Sequence, residues 1–331
     1  MRPLLLLTLL ATSSCVTPPP PPEFLRLGVV AIPAHALMFV AQDHRLFAAR
    51  GLDVEVLPFS SGRDALRVAL EGGLDVATVY PTPIAVEALA GAPVAVIATT
   101  GRVEGLTGVL LHPRLGRVTA ASLRGRSIGV TPATSSQLYA ELLVAQEGLE
   151  TGEVNWVLGN PPELLARLES GSIDGASLWA PNLSVARRRL GPGSTVLTTS
   201  AYTELGALAG ERGNLKRKSE AVRRLLLALR DAEAKVEADP SVALLSLTTR
   251  LPEMEPDELR AVLTHGRFEV SLSNLLLAAL RLEATWLERS GTPAKEGVRM
   301  RSVLLEEPLS AVAPEVVTLL HSSNARRERS P

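Results

Sequence analysis

Two stretches of the chain are built to one plan. "LEGGLDVATVYPTPIAVEAL" (70–89) and "LESGSIDGASLWAPNLSVARRRL" (168–190) each run from an acidic residue and glycine that stop a helix, through an Asp that opens a strand, to an aromatic that closes it. Asp75 and Tyr80 in the first correspond to Asp174 and Trp179 in the second. A repeated half-plan of this kind predicts two similar lobes, and 331 residues is more than a single core usually holds.

Around those stretches short apolar runs alternate with helical ones. "LRLGVVAI" and "LDVEVLPF" read as strands flanking the helical "LMFVAQDHRLFAARG", which is a β-α-β unit and so implies a parallel sheet with helices on its faces. The pattern recurs from "SIGVTP" through "STVLTTS". From Leu215 to Val317 the chain reads as nearly all helix, with proline or glycine at most ends, and such appended helices are expected to pack back onto the first lobe.

The N-terminus constrains where the chain works. "MRPLLLLTLLATSSC" has one cation, an apolar run too short to span a membrane, and small residues leading to Cys15. It resembles a bacterial lipoprotein signal, with Thr12 where Leu is commonest, and so implies a lipid anchor on Cys15. The plainer reading is a signal peptide cut nearby, with Cys15 removed or left as a free thiol. Cys15 is the single cysteine, so no disulfide framework or cysteine nucleophile can form downstream. Five prolines then favour a stiff extended spacer. The expected divisions are a signal at 1–15, a Pro-rich linker at 16–23, lobe one at 24–101, lobe two at 102–201, lobe one again with the C-terminal helices at 202–318, and a disordered tail at 319–331.

A net charge of −1 argues against a general nucleic-acid binder, which needs a basic surplus. His44, His112 and His265 share no ligand spacing with each other or with carboxylates, so neither a metal nor another cofactor is expected. The runs "RRR" (187–189) and "KRK" (216–218) read as solvated faces.

The segments "GRSIGVTPATSSQLYAELLVAQEGL", "GNPPELLARLESGSIDGASLWAPN", "HALMFVAQDHRLFAARGLDVEV" and "GRDALRVALEGGLDVATVYPTP" resemble the substrate-binding proteins of ABC importers for sulfonates, nitrate, taurine and thiamine pyrimidine precursors. The resemblance spans about Leu25 to Val317. It implies an α/β fold of the periplasmic-binding-protein type II class: two doubly wound α/β lobes joined by a hinge, with a helical C-terminal extension on lobe one. The chain should cross between lobes near 99–102 and return near 199–203. The implied protein is a monomeric, exported, membrane-anchored lipoprotein of the periplasm or cell envelope. It holds a small anionic or heteroaromatic solute without altering it and hands it to a permease and ATPase. Two alternatives are an enzyme on the same fold, of the thiamine or menaquinone biosynthesis type, and an exported sensor with no importer.

In such sheets ligands sit outside the carboxyl ends of the strands. The turns there nominate His35, Ser60, Ser61, Tyr80, Thr82, Thr134, Ser135, Ser136, Trp179 and Asn182 as ligand-binding residues. The reason for the hydroxyls is physical. A helix's first turn leaves backbone N–H groups unpaired at a partly positive end, which suits an anion, although the same residues also serve as ordinary N-caps. Tyr80 and Trp179, matched in the two half-plans, could enclose a flat ligand or could simply pack at strand ends. Trp156, inside "VNWVLG", reads as a core or surface residue rather than a site residue. Arg63 and Arg102 are lobe one's candidate buried cations.

Overall fold

The computed structural model describes residues 21–116 and 118–320. The signal segment, Cys15, most of the proline run and the tail from residue 321 lie outside the described residues. The strands are β1 (Glu23–Val30), β2 (Leu52–Phe59), β3 (Val76–Val79), β4 (Val94–Val103), β5 (Thr107–Leu111), β6 (Ser127–Val130), β7 (Asn155–Leu158), β8 (Gly175–Trp179), β9 (Thr195–Leu197) and β10 (Glu204–Glu211).

They form two five-stranded sheets with one topology, β2-β1-β3-β10-β4 and β7-β6-β8-β5-β9. In each, three strands run parallel and the other two continue the sheet: β10 runs antiparallel to β3 and β4, and β5 runs antiparallel to β8 and β9. The fold is thus the type II two-lobe arrangement.

The repeated Asp has a structural cause. Asp75 accepts the backbone N–H of Arg26 at 2.7 Å, and Asp174 accepts that of Ser127 at 2.9 Å, so each ties the start of its lobe's third parallel strand to the first parallel strand. Lys218 and Arg114 neutralise them, each at 2.8 Å. Lys218 and Arg217 of "KRK" and Arg189 of "RRR" are therefore ion-paired rather than only solvated.

The helical stretch "LMFVAQDHRLFAARG" is broken, and so is the start of the C-terminal helical region. Arg45, in left-handed backbone at φ 53°, separates Ala36–Asp43 from Leu46–Ala49, and Lys218 separates Arg212–Arg217 from Ser219–Ala238. In the extension, Leu272–Ser273 pairs with Val317–Thr318 as a short two-stranded ribbon.

The chain leaves sheet one after Val103, enters sheet two at Thr107, and returns at Glu204, which lies opposite Val103. At this crossing the backbone is crowded from below by the turn Pro33–His35. A Cβ at Gly101 would lie 2.6 Å from the Ala34 carbonyl oxygen, and one at Gly206 2.9 Å from the same atom. Both positions need glycine.

The helix Ser219–Ala238 packs on Ala36–Asp43, and Asn274–Arg289 packs on Pro81–Leu89, so the extension covers lobe one. Its apolar cluster also takes in Trp179 and Ala180 of lobe two.

Candidate functional site

The site begins at two helix starts. Gly62–Leu70 follows β2, and its N-cap Ser61 accepts the Asp64 N–H while donating its hydroxyl to the Asp64 carboxylate at 2.7 Å. Ser135–Gln146 follows β6, with Thr134 as N-cap. In both, first-turn N–H groups remain without intrahelical partners, as at any helix start.

Those two starts border one cavity. It is lined by Val30, Ile32, His35, Ser61, Gly62, Arg63, Val79, Tyr80, Pro83, Thr134, Ser135 and Trp179, and the space open to a water-sized sphere is about 40 Å³. That is room for about three waters, at roughly 10–15 Å³ each, or for one small oxyanion.

The lobes are closed around it. Arg63 Nη1 donates to the Pro132 carbonyl at 2.7 Å, Trp286 Nε1 donates to Glu141 Oε2 at 2.8 Å, and Ser184 donates to Glu258; each bond joins lobe one or its extension to lobe two. Trp179 crosses as well, since its ring belongs to lobe one's apolar cluster.

Six nominated residues line the cavity: His35, Ser61, Tyr80, Thr134, Ser135 and Trp179. The other four do not. Ser60 is exposed and Asn182 half-buried outside the lining. Ser136 donates to the Ser177 carbonyl at 2.8 Å and accepts the Thr131 N–H at 3.2 Å, so it ties lobe two together. Thr82 is buried behind the wall, beside Glu283. Within "TPATSS", Thr134 also donates to the Thr131 carbonyl at 2.7 Å. Much of that hydroxyl cluster thus holds its own turn, leaving Ser135 and the backbone to meet a ligand. Asn160 of "GNPP" forms a capping box with Glu163 and lies away from the cavity. Trp156 lies on the edge strand β7, half-buried, and donates to the Thr151 carbonyl.

The electrostatics follow from burial. His35 is sealed under the hinge and burial pushes its pKa down to about 3, so the imidazole is neutral, with Nδ1 unpartnered. Its ring lies 6.1 Å from that of Tyr80. Tyr80 in turn directs its hydroxyl at Glu204 Oε2, 3.4 Å away, while Glu204 Oε1 accepts the Thr107 N–H at 2.8 Å. Burial lifts Glu204 to about 7 despite those hydrogen bonds. Arg63 is the cation of the lining.

Sequence reasoning missed Glu204 and Glu283. Glu283 carried a signal: in Asn274–Arg289 it stands on the buried stripe of Leu276, Leu280 and Leu287, where an acid is out of place. Among the described residues no group of His, Cys, Asp and Glu is arranged to hold a metal.

Sequence comparison matches residues 32–243 to the family described as NMT1/THI5 like. The chain belongs to that family. A relative is the taurine-binding periplasmic protein of Escherichia coli, 27% identical over 151 residues, covering 45% of this chain and 46% of that one. Among solved folds like that of this family member is the alkanesulfonate-binding protein SsuA from Xanthomonas axonopodis pv. citri bound to MOPS, with TM-score 0.72 and 19% identity over 87% of this chain and 99% of that one. The desulfurization enzyme DSZB also shares the fold, with TM-score 0.62 and 16% identity over 88% of this chain and 98% of that one. The fold is thus shared by binding proteins and by an enzyme.

Proposed function

We propose that the protein is the exported, lipid-anchored solute-binding component of an ABC importer, and that it captures a small oxyanion, free or at the head of a compact organic solute. The observation that carries this reading is the cavity itself: two helix N-termini from different lobes and the Arg63 guanidinium border a space of about 40 Å³. Unpaired N–H groups and a cation favour negative oxygen, while the neutral His35 adds no competing charge. A solute touching both helix starts has differential affinity for the closed arrangement, which is what drives closure.

A binding role is favoured over catalysis by the state of the hydroxyls. Ser61 and Thr134 are both engaged in capping, and neither is hydrogen-bonded to His35, the histidine of the cavity lining. The taurine-binding relative and the alkanesulfonate-binding neighbour support an anionic solute. Lipid attachment through Cys15 and transfer to a permease and ATPase rest on the N-terminal sequence and on family likeness. Among the described residues no helix is long and apolar enough to cross a membrane. Labelling with a radioactive fatty acid in a bacterial host tests the anchor: label should enter the wild-type chain and be absent from Cys15→Ser.

A further inference from the structure

Behind the cavity wall lies a second buried polar group that solute binding does not use. Glu283 reaches it from the extension helix Asn274–Arg289, Thr82 from the first turn of Pro81–Leu89, and Tyr202 from the segment returning to lobe one. Tyr202 belongs to lobe two's apolar cluster, its ring standing edge-on to Tyr139 at 6.0 Å, and it interacts with Ser135 of the cavity lining. Glu283 Oε2, Thr82 Oγ1 and Tyr202 OH are all buried, and none has a hydrogen bond of normal geometry. One turn further along the same helix, Trp286 makes its bond to Glu141 of lobe two.

Unpartnered buried oxygen is costly, and a carboxylate most of all. A protonated carboxyl is the form that fits, because it can donate to Thr82 or Tyr202, whereas a carboxylate would stand buried with no cation beside it. The surroundings agree: burial raises the Glu283 pKa to about 8 and Thr82 opposes this, while Glu283 in turn raises Tyr202. Tyr202 titrates well above the usual tyrosine range, so it stays neutral. The other titratable groups nearby are Glu204, which acts on Tyr202, Tyr139 of lobe two, raised by burial, and Glu141, held by Trp286. From the helix Pro81–Leu89, Glu87 faces Arg67 and Glu71 instead.

From this seam we infer that Glu283 is a proton-operated catch on lobe closure: its carboxyl takes up a proton as the lobes shut, and the closed form loosens as pH rises. The inference rests on the reading that the two lobes open and close. When they part, Tyr202 and the lobe-two helix starting at Ser135 withdraw, water reaches Glu283, and its pKa returns toward the ordinary carboxyl range near 4.3. Between those limits closure consumes up to one proton. The ratio of closed to open protein then falls up to about tenfold per pH unit from roughly pH 5 to 8.

The test needs no solute. In the full chain carrying Cys15→Ser, spin labels on Arg188→Cys (lobe two) and Lys235→Cys (lobe one), both exposed sites, report the interlobe distance distribution. The catch predicts a closed population that dominates at pH 5.5 and shrinks by pH 8.5. In Glu283→Gln, whose amide can still donate, the distribution should be the same at both values. An unchanging distribution in the parent protein would overturn the inference. So would a pH response that survives Glu283→Gln, including one abolished instead by Glu204→Gln. Because no solute is present, a negative result leaves the solute-binding reading standing, and failure to find a solute leaves this test intact.

Discussion

Arg63 Nη1, at the start of a lobe-one helix, donates to the carbonyl oxygen of Pro132 in lobe two at 2.7 Å. This bond spans the cleft beside the cavity, so it exists in the closed arrangement alone. A charged donor to a carbonyl contributes about 1.5 kcal/mol at the low end, the appropriate end for a half-exposed side chain. Arg63→Met should weaken solute binding by roughly tenfold or more while leaving the melting temperature of unliganded protein within a few degrees. Calorimetric titration and a thermal melt check the two halves.

His35 should make the protein acid-sensitive. Burial holds its folded pKa near 3, against about 6.5 when unfolded, so between those values the unfolded chain binds the extra proton. The stability from neutral burial is full above about pH 6.5 and is lost as pH falls below it. At pH 5 the loss is about 2 kcal/mol. His35→Gln should show a flatter urea-denaturation profile between pH 7 and 5, and an equal slope in both proteins would contradict the assignment.

Asp75 acts in the same direction through different causes. Burial alone would raise its pKa, but the Arg26 N–H, Lys218 and Asn214 outweigh it and hold the carboxyl below its usual range. Its contribution is present above about pH 4 and disappears as pH falls through the lowered folded value. Asp75→Asn should cost about 1–3 kcal/mol at pH 7 and progressively less as pH falls below about 4, read from denaturant midpoints.

Ala133 sits in left-handed backbone at φ 57° in the turn before the helix Ser135–Gln146. A Cβ there costs about 1–2 kcal/mol, partly offset by the greater unfolded-state entropy of glycine. Ala133→Gly should raise the melting temperature by a few degrees and leave solute affinity unchanged. A fall in stability would show that the turn is relaxed in this conformation.

The sequence carried the architecture because its repeat was chemical as well as periodic. Asp75 and Asp174 open corresponding strands and make the same bond to a first-strand N–H, so matched residues reported matched topology. Site residues were legible only by address, as the turns at strand ends. Residue type could not separate Ser135, which borders the cavity, from Ser136, which turns inward to Ser177, because one helical step decides it. Glu204 and Glu283 escaped notice for a related reason. Periodicity puts Glu283 on a buried helix face, but what either acid meets is set by elements far apart in sequence that come together at the hinge and the closed seam.

Melting curves of the full chain with nitrate, methanesulfonate, taurine and bicarbonate, and with a neutral pyrimidine as comparison, test the central claim most directly. A solute at 100 times its dissociation constant adds about 2.7 kcal/mol, which for a protein this size raises the melting temperature by roughly 4 °C. The account predicts such a rise with at least one small oxyanion, and its reduction in Arg63→Met. A rise with the neutral pyrimidine alone, or an oxyanion effect of equal size in Arg63→Met, would contradict it.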